Sequence, residues 1–133
     1  MIVADTNLVA YLLLEGEHTA AAEQVLNRDS HWIAPALWRS ELRNVLALYV
    51  RQELLTLEQA CRFMELAEVL LWGREYSVPS ESVLELAASS GCAAYDCEFV
   101  ALARRRAIPL VTSDRQVLSA FPDIAVDPRR FAA

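Results

Sequence analysis

Short, mainly apolar segments separated by helical segments are the feature that most limits how this chain can fold. Most of these segments hold only three or four residues, which is too few for a helix and typical of a buried strand. Strands that alternate with helices predict a parallel sheet with helices on both faces. The fold class is therefore α/β, with a short, mostly parallel central sheet. The predicted strands cover residues 2–4, 32–34, 76–78, 108–111 and 124–126.

The helical segments are predicted from apolar residues at helical spacing and from residues that favour helix ends. Thr56 and Gln59 have the spacing of a capping box. Pro35 is expected in the first turn of a helix. Gly16 and Gly91 are expected to end helices. The predicted helices cover residues 8–14, 19–27, 36–50, 56–71, 80–89, 95–106 and 113–120.

The chain of 133 residues is expected to form one domain, residues 1–133. Its apolar content of 55% is high against about 45–50% for an ordinary domain. We expect the excess to cover an interface with a partner or a second subunit. The aromatic residues Trp38, Tyr49 and Trp72 are the predicted contributors.

The formal charge of −6 argues at first against a nucleic-acid partner. All twelve basic residues are Arg, however, and Arg binds phosphate through two parallel hydrogen bonds. A genome with a skewed base composition would also favour Arg over Lys, without any role in phosphate binding. Acidic residues that bind metal would also have their charge cancelled by the cation. Net charge therefore neither supports nor excludes a nucleic-acid partner.

The three Cys residues have no disulfide or zinc-site spacing, and His18 and His31 are too isolated to form a metal pair. This cysteine usage favours a reducing compartment. Residues 1–4 show no basic segment, and no apolar stretch is long enough to cross a membrane. The sequence predicts a cytoplasmic protein without membrane contact.

Four acidic residues stand where they are expected to share one crevice. Asp5 follows the first strand and Asp114 follows the fourth, and ligands bind beyond the carboxyl ends of such strands. Glu41 and Asp96 lie among apolar residues on helices, where an unpaired carboxylate is costly. The alternatives are helix capping for the first two and an Arg salt bridge for the other two.

Carboxylate oxygens are the ligands that Mg²⁺ and Mn²⁺ prefer. Clustered like charges repel one another without a cation, which favours a metal site over a purely structural role. Such a site activates water and stabilises the charge on a phosphoryl group. Cleavage of a phosphodiester is the expected chemistry, and the spacing does not exclude a phosphatase.

The sequence resembles the PIN-domain family at four segments. Residues 2–7, Ile-Val-Ala-Asp-Thr-Asn, look like its opening strand and Asp-Thr-Asn motif. Glu41 matches the helical acid of the family. Residues 94–103 resemble its Tyr-Asp block, and Thr112 with Asp114 matches its Thr-x-Asp motif. Cys97 stands where the family usually has Ala, which does not disturb the match.

The resemblance implies a VapC-like toxin, a Mg²⁺- or Mn²⁺-dependent endoribonuclease with a cognate antitoxin protein, and we expect a homodimer. Asp5, Glu41, Asp96 and Asp114 would be the catalytic and metal-binding acids. Thr6, Asn7 and Thr112 would hydrogen-bond these ligands, or would serve only in capping and turns. Glu98 is either solvated or an extra acid at the rim.

Arg104 and Arg105, in a run of three Arg, are candidate contacts to RNA phosphates. A solvated helix end, where cations are favoured by the helix dipole, is the alternative.

Two rival classes, one of enzymes and one of signalling proteins, each require a residue that this chain lacks. A haloacid-dehalogenase-like phosphatase needs Asp at the position of Asn7, and a receiver domain needs a Lys, which the chain lacks. The remaining alternative is a PIN-fold module that binds RNA or protein without catalysis.

Overall fold

The computed structural model describes residues 1–133. The strands are β1 (Ile2–Ala4), β2 (Trp32–Pro35), β3 (Glu75–Tyr76), β4 (Leu110–Val111) and β5 (Ala125–Val126). The helices are α1 (Thr6–Leu13), α2 (Thr19–Arg28), α3 (Trp38–Arg51), α4 (Leu57–Leu70), α5 (Ser80–Ser90), α6 (Ala94–Arg106), α7 (Arg115–Ala120) and α8 (Pro128–Ala132).

The five strands form one sheet in the order β3-β2-β1-β4-β5, and every neighbouring pair is parallel. The central strand β1 consists of Ile2, Val3 and Ala4, none of which has any exposed surface. Because successive strand residues point to opposite faces, both faces of the sheet are covered at β1. The predicted α/β class with a parallel sheet is confirmed.

The strand order changes direction at β1. The chain builds outward through β2 and β3 on one side, and then returns to place β4 and β5 on the other side. Loops that follow the strands on either side of such a switch point diverge and leave a crevice between them. Asp5 follows β1 and Thr112 follows β4, so both residues lie at this crevice.

Two predicted helix ends are confirmed and one is wrong. Thr56 and Gln59 form the capping box at the start of α4. Gly91 ends α5 in the left-handed conformation, with φ of 75°. The first helix ends at Leu13, before Gly16, because Leu14 already takes an extended conformation while its N–H donates to the Ala10 carbonyl.

Pro35 was expected inside a helix and instead ends β2, paired with Tyr76. It lies beyond the residues of β2 that are registered with β1, so its missing N–H costs no bond to the central strand. Helix α8 was not predicted, although Asp127 caps it and Pro128 opens it.

The predicted interface role of Trp38 is wrong. Its side chain is entirely buried and its indole nitrogen donates to Glu75 Oε2 at 3.0 Å. An apolar stripe on a helix looks the same whether it packs on its own core or on a partner. Trp72 is 78% exposed and Tyr49 is half-buried, so both remain accessible.

None of the helices is both long enough and apolar enough to span a bilayer.

Candidate active site

Asp5 occupies the capping position of α1, but its side chain makes no capping hydrogen bond. The capping alternative is therefore wrong for this residue. Its Oδ2 instead accepts a hydrogen bond of 2.6 Å from Thr112 Oγ1 across the β1–β4 boundary. Burial raises the pKa of Asp5, and the Thr112 hydroxyl opposes that shift; the charges of Asp96 and Asp114 raise the pKa further.

Glu41 lies in the first turn of α3 and points toward the start of α1. Its Oε1 accepts a hydrogen bond of 2.7 Å from Thr6 Oγ1. Burial is the main cause of the raised pKa of Glu41, and the charges of Asp5, Asp96 and Glu98 add to it. Glu41 is therefore within electrostatic range of three acids on two other segments, Asp5 after β1 and both Asp96 and Glu98 on α6.

Asp96 stands in the first turn of α6, facing the same crevice. Asp5, Asp96 and Thr112 line a small cavity together with the apolar side chains of Phe99, Leu110 and Val117. Burial raises the pKa of Asp96, and the charge of Asp114 contributes as well.

Asp114 caps α7, as the alternative reading of the sequence predicted. One oxygen, Oδ1, accepts from the backbone N–H groups of Gln116 at 2.9 Å and Val117 at 3.1 Å. The other oxygen, Oδ2, makes no hydrogen bond within the protein. A single Asp114 side chain can thus hold the helix start and still offer an oxygen to a ligand.

None of the four acids is part of an ion pair. The predicted alternative of an Arg salt bridge is therefore wrong for both Glu41 and Asp96. The protein leaves four carboxylates with partly buried, mutually repelling charges and no basic side chain to compensate them.

The donor chemistry of these acids fits a hard divalent cation, since all available ligands are oxygens. No group of three or more acidic, His or Cys side chains lies close enough together to form a ready metal site.

Of the three residues predicted to hydrogen-bond the acids, two do so and one does not. Thr6 and Thr112 are buried, and each donates to one carboxylate. The Thr112 oxygen also accepts from the Asp114 backbone N–H at 3.1 Å, which links the two strand-end acids. Asn7 is exposed and its side chain makes no hydrogen bond in the protein.

Glu98 lies close enough to Glu41 for its charge to raise the pKa of that residue. It is half-buried, and burial raises the pKa of Glu98 itself. Its spacing of two residues from Asp96 gave no helical-face signal, so the sequence left its role open.

Arg104 and Arg105 lie at the opposite end of α6 from Asp96. About 14 Å of helix axis separates Asp96 from Arg105. Arg104 donates to both carboxylate oxygens of Asp123 at 3.1 Å and lies over the Phe121 ring. Arg105 is exposed and has no ion-pair partner.

The PIN domain family model matches residues 2–125, which is nearly the whole chain and includes all four acids. This chain belongs to the PIN-domain family. The chain is 29% identical over 128 residues to Ribonuclease VapC3 of Pyrobaculum aerophilum, covering 91% of this chain and 95% of that protein.

Two solved structures share the PIN fold. The crystal structure of PAE2754 from Pyrobaculum aerophilum matches with a TM-score of 0.79 at 20% identity, covering 98% of this chain and 92% of that one. The crystal structure of FitAcB from Neisseria gonorrhoeae matches with a TM-score of 0.72 at 21% identity, covering 96% and 98%. The predicted resemblance to PIN domains is confirmed.

Proposed function

We propose that this PIN-domain protein is a Mg²⁺- or Mn²⁺-dependent endoribonuclease that acts in the cytoplasm as the toxin of a toxin–antitoxin pair. The observation that carries the proposal is the set of four unpaired carboxylates at the switch point of the sheet. The similarity to a protein named Ribonuclease VapC3 supports RNA as the substrate.

Asp5, Glu41, Asp96 and Asp114 would hold the cation. A bound divalent cation supplies positive charge for the phosphoryl oxygens and lowers the pKa of a coordinated water. The other residues of the chain mainly hold the acids in position. Thr112 fixes the orientation of Asp5, and Thr6 fixes that of Glu41, through the hydrogen bonds described above. Phe99, Leu110 and Val117 give the crevice an apolar wall, which strengthens electrostatic interactions with the substrate.

Purified protein should cleave single-stranded RNA in Mg²⁺ and should stop when excess EDTA is added. Two rival functions give different results in the same assay. A metal-dependent phosphatase would release phosphate from a monoester and leave the RNA intact, while a non-catalytic RNA- or protein-binding module would do neither. Equal RNA cleavage with and without EDTA would contradict the metal-dependent mechanism.

The toxin role makes a separate prediction in cells. An unrestrained ribonuclease should slow the growth of its host, and co-expression of the adjacent small gene for the antitoxin should restore it. The matched control is Asp5→Asn, which should permit normal growth. Normal growth under strong expression of wild-type protein that cleaves RNA in vitro would contradict the toxin role alone.

Exposed apolar side chains near α4 support an antitoxin contact and a homodimer. Val69 is 75% exposed, Trp72 is 78% exposed, and Leu57 is also exposed. Interfaces bury such aromatic and aliphatic groups at their centres. Size-exclusion chromatography with light scattering should show a dimer of the chain alone and a larger complex with the antitoxin.

A further inference from the structure

A groove lies beside the acidic crevice, at the carboxyl ends of β4 and β5. Ser113 and Arg115, which flank Asp114, form one side of it, and residues 127–129 after β5 form another. Its cavity volume of about 420 Å³ is within the roughly 300–1,000 Å³ of small-ligand sites. The groove therefore has room for one nucleotide immediately next to the crevice.

A pair of stacked rings lines this groove. The Tyr11 and His18 rings lie 4.4 Å apart between centroids, with an angle of 29° between their planes. The Tyr11 hydroxyl is 3.2 Å from Ser113 Oγ, and His18 Nε2 lies 3.3 Å from a Glu17 carboxylate oxygen. Because the two rings already stack on each other, a base can stack on the outer face of the pair with less loss of side-chain freedom.

The same groove contains two arginines that have no acidic partner. Arg115 and Arg129 are exposed and form no ion pair, unlike Arg39 and Arg104. The nearby acid, Asp127, uses one carboxylate oxygen to accept from the Arg129 backbone N–H at 2.9 Å. Two free guanidinium groups in a groove that adjoins Asp114 suit a polyanion whose phosphate must enter an acidic crevice.

We infer that this groove binds a nucleotide of single-stranded RNA that adjoins the phosphate in the acidic crevice. The base stacks on the Tyr11–His18 pair, and Arg115 and Arg129 contact flanking phosphates. The strand is single because a base inside a duplex has both faces covered by its stacked neighbours, so neither face is free for a side chain. The inference rests on the proposed ribonuclease function, whose site it extends by one subsite.

Photo-cross-linking tests the base position directly. The probe is a short single-stranded RNA in which iodouridine replaces uridine, bound to the full-length Asp96→Asn variant in Mg²⁺ so that the RNA stays intact. Mass spectrometry should place the cross-links on Tyr11 or His18. Cross-links confined to other parts of the chain, or none at all, would overturn the inference.

Binding of the same RNA over a range of salt concentrations tests the arginines. Arg115→Ala and Arg129→Ala should each reduce the magnitude of the slope of log K against log salt by about 0.7, the value for one contact to a single strand. Arg130→Ala is the matched control, because Arg130 is exposed on the same helix but does not line the groove. An equal slope change in the control would show that charge alone, rather than contact, acts.

Substitution of His18 tests whether a base stacks on the ring pair. His18→Ala should weaken binding about fivefold or more, the factor that corresponds to the lower range of base–aromatic stacking. His31→Ala is the matched control, because His31 does not line the groove, and it should bind within about twofold of wild type. Unchanged binding by His18→Ala would remove the stacking platform from the account. If cross-links map to the groove but wild-type protein with Mg²⁺ does not cleave the RNA, the proposed function fails and the binding groove stands.

Discussion

Helix α3 contributes to two carboxylate clusters that are built in opposite ways. In the first, here called the arginine cluster, Arg39 binds Glu75 through two nitrogens at 2.7 and 2.8 Å and Glu68 at 2.9 Å. Trp38 also donates to Glu75. In the second, the acidic crevice, Glu41 has only the Thr6 hydroxyl as a donor and no basic partner.

The electrostatic consequences have opposite signs. The Arg39 hydrogen bonds lower the pKa of Glu75, so its charged form is favoured in the folded protein. Burial raises the pKa values of Asp5, Glu41 and Asp96, so their charged forms are disfavoured there. In the arginine cluster, the protein supplies a cation from its own chain. The acidic crevice has no such cation, and we interpret the crevice as the working site for that reason.

The largest expected difference between the clusters is in catalysis. Asp5→Asn keeps the shape of the side chain but removes its charge, and it should lower kcat/KM for RNA cleavage at least about a hundredfold, or about 2.7 kcal/mol. Glu75→Gln is the matched control in the arginine cluster and should cleave within about twofold of wild type. Cleavage by Asp5→Asn at the wild-type rate would remove the acids from the mechanism.

The next prediction concerns stability, where Glu75→Gln should have a larger effect than Asp5→Asn. Glu75→Gln leaves Arg39 with Glu68 alone and weakens the bond from the buried Trp38. It should lower the free energy of unfolding by about 2 kcal/mol, measured by urea denaturation at pH 7. Asp5→Asn should lose far less in the same measurement. Equal losses in both variants would mean that the two clusters are not energetically distinct.

The pH dependence sharpens that result. The pKa of Glu75 is depressed below its ordinary value of 4.5, so the folded state binds fewer protons than the unfolded state near that pH. Its stabilisation is therefore complete above about pH 5 and is lost as the pH falls through the folded pKa. The stability gap between wild type and Glu75→Gln should close in that window, and a gap that widens in acid would contradict the assignment.

A smaller effect is expected from the hydroxyl that orients Asp5. Thr112→Val removes the 2.6 Å hydrogen bond with little change of volume. It should lower kcat/KM about tenfold, or about 1.4 kcal/mol, with the Mg²⁺ concentration for half-maximal rate shifted upward. A loss that extra Mg²⁺ does not reduce at all would point to a folding defect instead.

The sequence predicted local features much better than long-range pairs. The apolar run of β1 with Asp5 after it was visible because strand and acid are adjacent in the chain. Arg39 and Glu75 are 36 residues apart, and neither position carries a periodic signal that could pair them. Thr112 and Asp5 are 107 residues apart. The family resemblance implied that Thr112 bonds to one of the acids, but not which one.

Some predictions failed because one sequence pattern is compatible with two different structural roles. The helical stripe containing Trp38 predicted an apolar face but not whether that face meets the core or a partner. Asp114 and Asp5 both occupy helix-capping positions, yet only Asp114 caps with its side chain. Tyr11 and Ser113 gave no signal because their contact exists only once β4 lies beside β1. The sequence pattern thus predicted the type of most elements, while packing decided which residues contact one another.

Calorimetric titration of the full-length chain with Mn²⁺ tests most directly whether the unpaired acids form a metal site. Wild type and Glu75→Gln should bind with the same stoichiometry and affinity. Asp96→Asn should bind at least about tenfold more weakly, because one of the clustered negative charges is gone. Identical Mn²⁺ binding by all three proteins, or no binding by wild type, would contradict the central claim.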